Sequence, residues 1–130
     1  TIDGKDIGPL LRCEPGAACP HESFAYYYAQ NELQAVRSGR WKLVLPHTYR
    51  TMRGQPPGKD GTPGKYRTER MSAPQLYDLL ADVGEATDVA AAHPDVAKRL
   101  EGYAEGYRAD LGDALTKRTG AGVRQPGRAE

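Results

Sequence analysis

The segment LPHTYRT places three side chains with binding chemistry close together in the sequence. His47 offers an imidazole, Tyr49 a phenol and Arg50 a guanidinium. A guanidinium binds tetrahedral oxyanions through paired hydrogen bonds. The segment has no evident nucleophile and no paired carboxylates nearby, so it suggests oxyanion binding and is not by itself a catalytic set. A polar strand end with a hydrogen-bonded histidine is the alternative interpretation.

The charge distribution favours an anionic ligand near this segment. The chain has 130 residues and a formal net charge of +1. Residues 37–70 contain nine basic and two acidic residues, a net charge of +7, whereas residues 1–36 and 71–130 each carry −3. A local excess of this size attracts sulfate, phosphate, a sulfated glycan or nucleic acid. A solvated loop rich in Lys and Arg would have the same composition.

The two cysteines, Cys13 and Cys19, lie in a segment rich in Pro and Gly, with His21 close by. A zinc site would lack a fourth ligand in this stretch. A small disulfide loop and two free thiols both fit the spacing. The sequence also lacks phosphate-binding glycine loops, nucleophile elbows and the usual metal motifs, so it identifies no catalytic residue and no metal ligand.

An aromatic stretch, SFAYYYA (Ser23–Ala29), has the composition of a strand. Phe24, Tyr26 and Tyr28 would face one side of it, because side chains alternate along a strand. These rings could stack bases or sugars. An alternating aromatic strand is more often part of a core, and we expect these side chains to be buried.

Three further segments complete a predicted antiparallel sheet. ELQAVRSGRWKLVL predicts a hairpin with strands at residues 32–37 and 40–46, since Ser38-Gly39 suits a tight turn. QLYDLLAD (Gln75–Asp82) predicts the last strand. Between them, residues 50–74 are rich in Gly and Pro and predict a long irregular loop, of the kind that is functional, disordered or docked on a neighbour.

The clearest helix is HPDVAKRLEGYAEGYRADLGD (His93–Asp113), with Pro94 at the first helical position. Its apolar residues recur every three or four positions, as one buried stripe requires. They are Val96, Leu100, Tyr103, Tyr107 and Leu111. The fold class that follows is α+β: a three- to four-stranded antiparallel sheet with one long C-terminal helix packed on one face.

The order of these segments resembles the C-terminal part of sulfatases of the arylsulfatase A type, in the alkaline phosphatase-like superfamily. The most specific pieces are the hairpin AVRSGRWKL and the segment LYDLLADVGE. Val83 stands where the family usually has Pro, and Asp88 stands where Asn is common. Both departures affect turn geometry and not chemistry. The remaining similar segments are DGKDIGPLL, FAYYY and HPDVAKRL.

The resemblance implies a sulfate ester hydrolase that uses formylglycine, made in a Cys/Ser-x-Pro-x-Arg motif, beside a calcium ion. Neither Cys13 nor Cys19 begins that motif, and Ala17 stands at the Arg position after Cys13. We therefore expect formylglycine and calcium in an N-terminal catalytic domain outside this chain, and no activity from the chain by itself. That domain and an anionic sulfated substrate are the implied partners; neither a membrane nor nucleic acid is expected. The resemblance favours a periplasmic or secreted location.

Three segments are expected on this basis. Residues 1–22 would be a linker or a remnant of the preceding catalytic domain, residues 23–115 the sulfatase C-terminal subdomain, and residues 116–130 a disordered tail. The subdomain would contribute to the wall of the substrate pocket through the substrate-binding residues His47, Tyr49 and Arg50. His47 would bond a sulfate-ester oxygen, and Arg50 would counter an acidic sugar or a second sulfate.

Two other functions compete with this hypothesis. The first is a stand-alone module that binds polyanions, either a sulfated glycan or nucleic acid, through the basic stretch. The second is a small metal-binding domain that uses Cys13, Cys19 and His21.

Overall fold

The computed structural model describes residues 4–124. Its elements in chain order are α1 (Gly8–Leu11), β1 (Phe24–Tyr28), β2 (Glu32–Ser38), β3 (Trp41–Val44), β4 (Thr48–Thr51), β5 (Arg67–Arg70), β6 (Gln75–Asp78), α2 (Pro94–Leu111), β7 (Gly112–Asp113), a 3-10 turn (Ala114–Thr116) and β8 (Arg118–Thr119). Strands β1, β2, β3 and β6 form one antiparallel sheet in that order, and α2 packs against it. The predicted α+β class is confirmed. Within the described residues, no helix has the length and apolar character needed to cross a bilayer.

The main core lies between α2 and one face of the sheet. Its buried side chains come from the strands and the helix: Leu33, Val36, Leu43, Leu45, Leu76, Leu100 and Ala104. Burying a leucine side chain stabilises a fold by about 1.5–3 kcal/mol, so this cluster fixes the helix on the sheet. The opposite face of the sheet is consequently left for other contacts.

An extra residue in β2 changes which side chains face the helix. Simple alternation would place Leu33 and Ala35 on one face and Gln34 and Val36 on the other. In the structure the register between β1 and β2 skips Gln34, which makes it the extra residue of a β-bulge. Leu33 and Val36 therefore both join the core against α2, whereas Gln34 and Ala35 both face the other side.

The segment 50–74 is not the irregular loop that its composition predicted. Strands β4 and β5 pair as an antiparallel hairpin, which we call the arm (residues 47–71). Near the tip of the arm, Lys59 and Thr62 exchange backbone hydrogen bonds of 3.1 and 2.9 Å. Gly58 lies so close to this turn that a Cβ would sit 2.3 Å from the Thr62 carbonyl oxygen. The glycines thus permit close backbone packing inside an ordered arm.

The disordered tail expected over residues 116–130 also differs from the structure, because β8 pairs with β7 and returns the chain to the end of α2. Gly112 ends the helix with φ +81°, a value that favours glycine. The next side chain, Asp113, is fully buried and accepts a 2.9 Å hydrogen bond from Arg108 Nε. The segment is held by backbone hydrogen bonds and not by a row of buried apolar side chains. Its sequence therefore shows no apolar periodicity that would predict a strand. Residues 125–130 of the expected tail lie outside the described residues.

Candidate functional site

The sheet face opposite α2 forms a groove of about 830 Å³. Side chains of β1, β2, β3 and β6 make its floor, and the arm and the turn at residues 84–88 make its walls. The polar and aromatic side chains that matter for binding are Tyr26, Gln34, Lys42, His47, Tyr49 and Arg53. A groove of this size can hold a small-molecule ligand.

His47 and Tyr49 lie together where the arm leaves the sheet, and both line the groove. Their ring centroids are 5.8 Å apart. His47 Nδ1 lies 2.6 Å from the carbonyl oxygen of Leu45. Because a carbonyl only accepts, Nδ1 must carry the proton in this hydrogen bond. Nε2 is then the ring nitrogen left for another partner.

Tyr49 is held by a carboxylate of the facing strand. Its hydroxyl donates a 2.8 Å hydrogen bond to Glu69 Oε2. This hydrogen bond raises the pKa of Tyr49 above its ordinary value of 10.0. It also lowers the pKa of Glu69, and a second hydrogen bond, from Arg67, adds to that effect. A phenol with a raised pKa stays protonated at neutral pH, so Tyr49 can position a ligand but is poorly suited to act as a base.

The structure separates Arg50 from His47 and Tyr49. Successive side chains of a strand point to opposite faces, so Arg50 lies on the outer face of the arm. There its guanidinium carbon lies 5.4 Å from the ring centroid of Tyr66. Arg53 lines the groove instead. Sequence reasoning missed Arg53 because its position depends on the turn after β4, for which strand alternation gives no signal.

The floor of the groove contains a second cation that is already neutralised. Lys42 Nζ lies 2.6 Å from Glu85 Oε1 and 5.2 Å from the ring centroid of Tyr26. The Lys42 side chain is only 19% exposed, so this ion pair is partly protected from solvent. Arg53 has no ion-pair partner among residues 4–124. Arg53 is therefore the groove cation best placed to meet an incoming anion.

The aromatic side chains of β1 are not the core residues that the pattern predicted. Phe24, Tyr26 and Tyr28 are 60%, 36% and 62% exposed, and we call them the aromatic ridge. They lie on the sheet face opposite α2, where Tyr26 and Tyr28 line the groove. Tyr27 points the other way and donates a 2.8 Å hydrogen bond to the carbonyl oxygen of Gly112. An exposed apolar ridge of this kind is a candidate interaction surface.

The cysteines do not form a metal centre with His21. Cys13 and Cys19 are both free and exposed. Over residues 4–124, no group of three or more His, Cys, Asp or Glu side chains could hold a metal ion. These residues therefore do not fit the calcium ion that the family resemblance implies, and the metal-binding hypothesis gains no support.

Comparison with known proteins gives three similarities. A family model described as the C-terminal region of aryl-sulfatase matches residues 19–123. An arylsulfatase of Hemicentrotus pulcherrimus is 32% identical over 127 residues of alignment, covering 84% of this chain and 22% of that protein. A solved structure, described in connection with the metabolism of multiple glycosaminoglycans by Bacteroides thetaiotaomicron, is 31% identical with a TM-score of 0.45, over 68% of this chain and 16% of its own. The chain thus spans about a fifth of the arylsulfatase that it matches.

Proposed function

The chain belongs to the sulfatase family as its C-terminal region, and from this premise we propose that it forms one wall of the substrate pocket in a larger sulfate ester hydrolase. The observation that carries the proposal is the groove, where His47 and Tyr49 lie beside Arg53. A sulfate ester presents several acceptor oxygens and a negative charge. The imidazole of His47 and the unpaired guanidinium of Arg53 can donate to those oxygens, whereas the Tyr49 hydroxyl, which gives its proton to Glu69, can only accept from a ligand hydroxyl.

His47 would bind the ester in one protonation state. Its Nδ1–H already donates a hydrogen bond to the Leu45 carbonyl oxygen. A sulfate-ester oxygen can only accept a hydrogen bond. Nε2 must therefore also carry a proton to bond the ester, so the imidazolium is the form that binds. Its positive charge adds to that of Arg53 on the same wall.

The aromatic ridge would contact the catalytic domain of the larger protein. Phe24 and Tyr26 already touch edge to face, with ring centroids 5.0 Å apart. The ridge lies on the edge strand β1, and two of its residues, Tyr26 and Tyr28, also line the groove. A domain docked on the ridge would therefore complete the pocket. Formylglycine and calcium would belong to that domain, because neither Cys13 nor Cys19 has the required Arg four positions later.

A stand-alone polyanion-binding module is not favoured. The family match accounts for most of the chain as part of a sulfatase. In addition, four of the nine cations of the basic stretch are paired with carboxylates: Arg40, Lys42, Lys59 and Arg67.

Turnover of a small aryl sulfate by the complete protein that carries this chain tests the proposal. His47→Ala should lower kcat/KM roughly tenfold or more, because it removes a hydrogen-bond donor from the wall, and Tyr49→Phe should lower it about threefold to tenfold, because it breaks the hydrogen bond to Glu69 that fixes the wall. Tyr103→Phe is the matched control, since it removes a hydroxyl that donates to Glu22 on the helix side of the sheet. Unchanged kcat/KM in both groove variants would remove the pocket-wall role, and no sulfate release at all would remove the hydrolase activity.

A further inference from the structure

The outer face of the arm carries positive charge that no neighbouring carboxylate balances. In the hairpin ladder, Arg50 lies opposite Thr68, and Thr48 lies opposite Arg70. Directly opposed residues share a face, so these four side chains lie on the same side of the arm. All four are exposed.

The acidic residue of the ladder faces the groove. Glu69 lies opposite Tyr49 and accepts hydrogen bonds from Tyr49 and Arg67. Among residues 4–124, seven other Lys and Arg side chains have an ion-pair partner, whereas Arg50 and Arg70 have none. Their charge is therefore available to a ligand.

Tyr66 adds an exposed aromatic ring to the same face. It is 58% exposed, and Arg50 stacks against it at 5.4 Å. Stacking orients the guanidinium, so less conformational freedom is lost when it binds an anion. We call Arg50, Arg70 and Tyr66, with the hydroxyls of Thr48 and Thr68, the outer platform. It combines cations, hydroxyls and an aromatic face, which are the groups that recognise a charged sugar.

A shallow depression connects the outer platform to the groove. It has a volume of about 260 Å³ and includes Arg70. It shares Tyr49, Met71, Gln75 and Asp88 with the groove, and the Asp88 carboxylate is occupied by hydrogen bonds from the backbone amides of Leu76 and Ala90. A ligand that occupies the groove therefore has a continuous path to Arg70.

We propose that the outer platform binds a sulfated polysaccharide whose scissile ester lies in the groove, so that the substrate is a polymer. This inference rests on the proposed function, which places a sulfate ester in the groove. Nucleic acid fits less well, because a nucleic-acid interface needs a broad basic surface and this chain has a net charge of only +1. Two unpaired guanidiniums suit the more widely spaced anionic groups of a sulfated sugar chain.

The test measures the affinity of the complete protein for a size-defined heparin oligosaccharide. The double variant Arg50→Ala/Arg70→Ala should bind about tenfold more weakly, since two charge-assisted contacts are lost. The slope of log Kd against log salt should fall by roughly one to two. Arg50→Lys/Arg70→Lys should retain part of the affinity, because it keeps the charges without the bidentate geometry.

Arg99→Ala is the matched control, because it removes an exposed arginine from α2. Thermal unfolding at the wild-type temperature shows that each variant is folded. Equal heparin affinity in the wild type and the double alanine variant would overturn the inference. It would also be overturned if a DNA oligonucleotide bound the wild type as tightly as heparin does and the double alanine variant did not bind that DNA. These binding results are independent of aryl sulfate turnover in the His47 and Tyr49 variants, so failure of this inference is distinguishable from failure of the proposed function.

Discussion

At the scale of single residues, the groove depends on one hydrogen bond that crosses the arm and one at the start of the arm. Tyr49 is fixed by Glu69, and His47 is fixed by the backbone of Leu45. The sequence indicated His47, Tyr49 and Arg50 as substrate-binding candidates because they follow a strand that ends beside a basic segment. It could not predict that Arg50 and Arg53 would take opposite sides of the arm, because that depends on where β4 ends and turns.

The Glu69 carboxylate makes the arm sensitive to acid. Its pKa is lowered in the fold by the hydrogen bonds from Tyr49 and Arg67, so its contribution to stability is present above its ordinary pKa of 4.5 and is lost as the pH falls through the lower folded-state value. We expect the backbone amides of β4 and β5 to exchange faster below about pH 4. Amide hydrogen exchange followed by NMR between pH 7 and pH 2 measures this.

Glu69→Gln is the control, because residue 69 then cannot titrate, so the acid-induced acceleration in β4 and β5 should be smaller than in the wild type once intrinsic rates are divided out. A Glu69 side chain that titrates at or above 4.5 would contradict the role assigned to its hydrogen bonds.

At the scale of elements, the sequence predicted the strands and the helix whose apolar residues recur with a regular period. The β2–β3 hairpin and α2 were recognised because buried residues such as Leu43 and Leu100 recur at the right spacing. The arm was not recognised, because its strands consist almost wholly of exposed polar residues and its turns resemble a loop in composition. The bulge at Gln34 was also missed, since one extra residue reverses the alternation without a sequence signal.

The tip of the arm should tolerate no side chain at Gly58. A Cβ there would lie 2.3 Å from the Thr62 carbonyl oxygen and 2.8 Å from the Gly64 nitrogen, so the backbone would have to move. Gly58→Ala should therefore speed hydrogen exchange in β4 and β5 and lower aryl sulfate kcat/KM in the complete protein.

The same substitution at Gly102 is the control for the arm. Gly102 lies in α2 with nothing within 4 Å of a Cβ, so Gly102→Ala should stabilise the fold by about 0.5–1 kcal/mol. Urea unfolding measures the difference. Wild-type exchange and turnover in Gly58→Ala would show that the close packing of the tip does not hold the arm.

At the scale of the whole molecule, the sheet has one face buried under α2, whereas the other face buries only Ala35, Val44 and Tyr77 and leaves the aromatic ridge exposed. The α+β fold was predictable because a single amphipathic helix and alternating strands leave few other arrangements. The exposure of Phe24 and Tyr28 was not predictable, since the same alternation suits a buried strand and an interface strand. Which face of β1 is buried depends on the elements that pack against the sheet, and the sequence of the strand does not specify them.

The aromatic ridge should stabilise the complete protein and not this chain alone. Phe24→Ser/Tyr28→Ser removes apolar surface that is mostly exposed here, so the unfolding temperature of the isolated chain should hardly change. In the complete protein the same surface would be buried, and its loss should lower Tm by several degrees. Tyr66→Ser, a change to an exposed ring on the arm, is the matched control. Equal Tm values for the ridge variant and the wild type of the complete protein would argue against docking on the ridge.

The central claim is that the groove wall touches the sulfate ester. A crystal structure of the complete protein with a bound, non-hydrolysable sulfated substrate analogue tests it most directly. We expect an oxygen of the analogue within hydrogen-bonding distance, about 3 Å, of His47 Nε2. An analogue bound far from His47, with the groove filled by protein side chains, would contradict it.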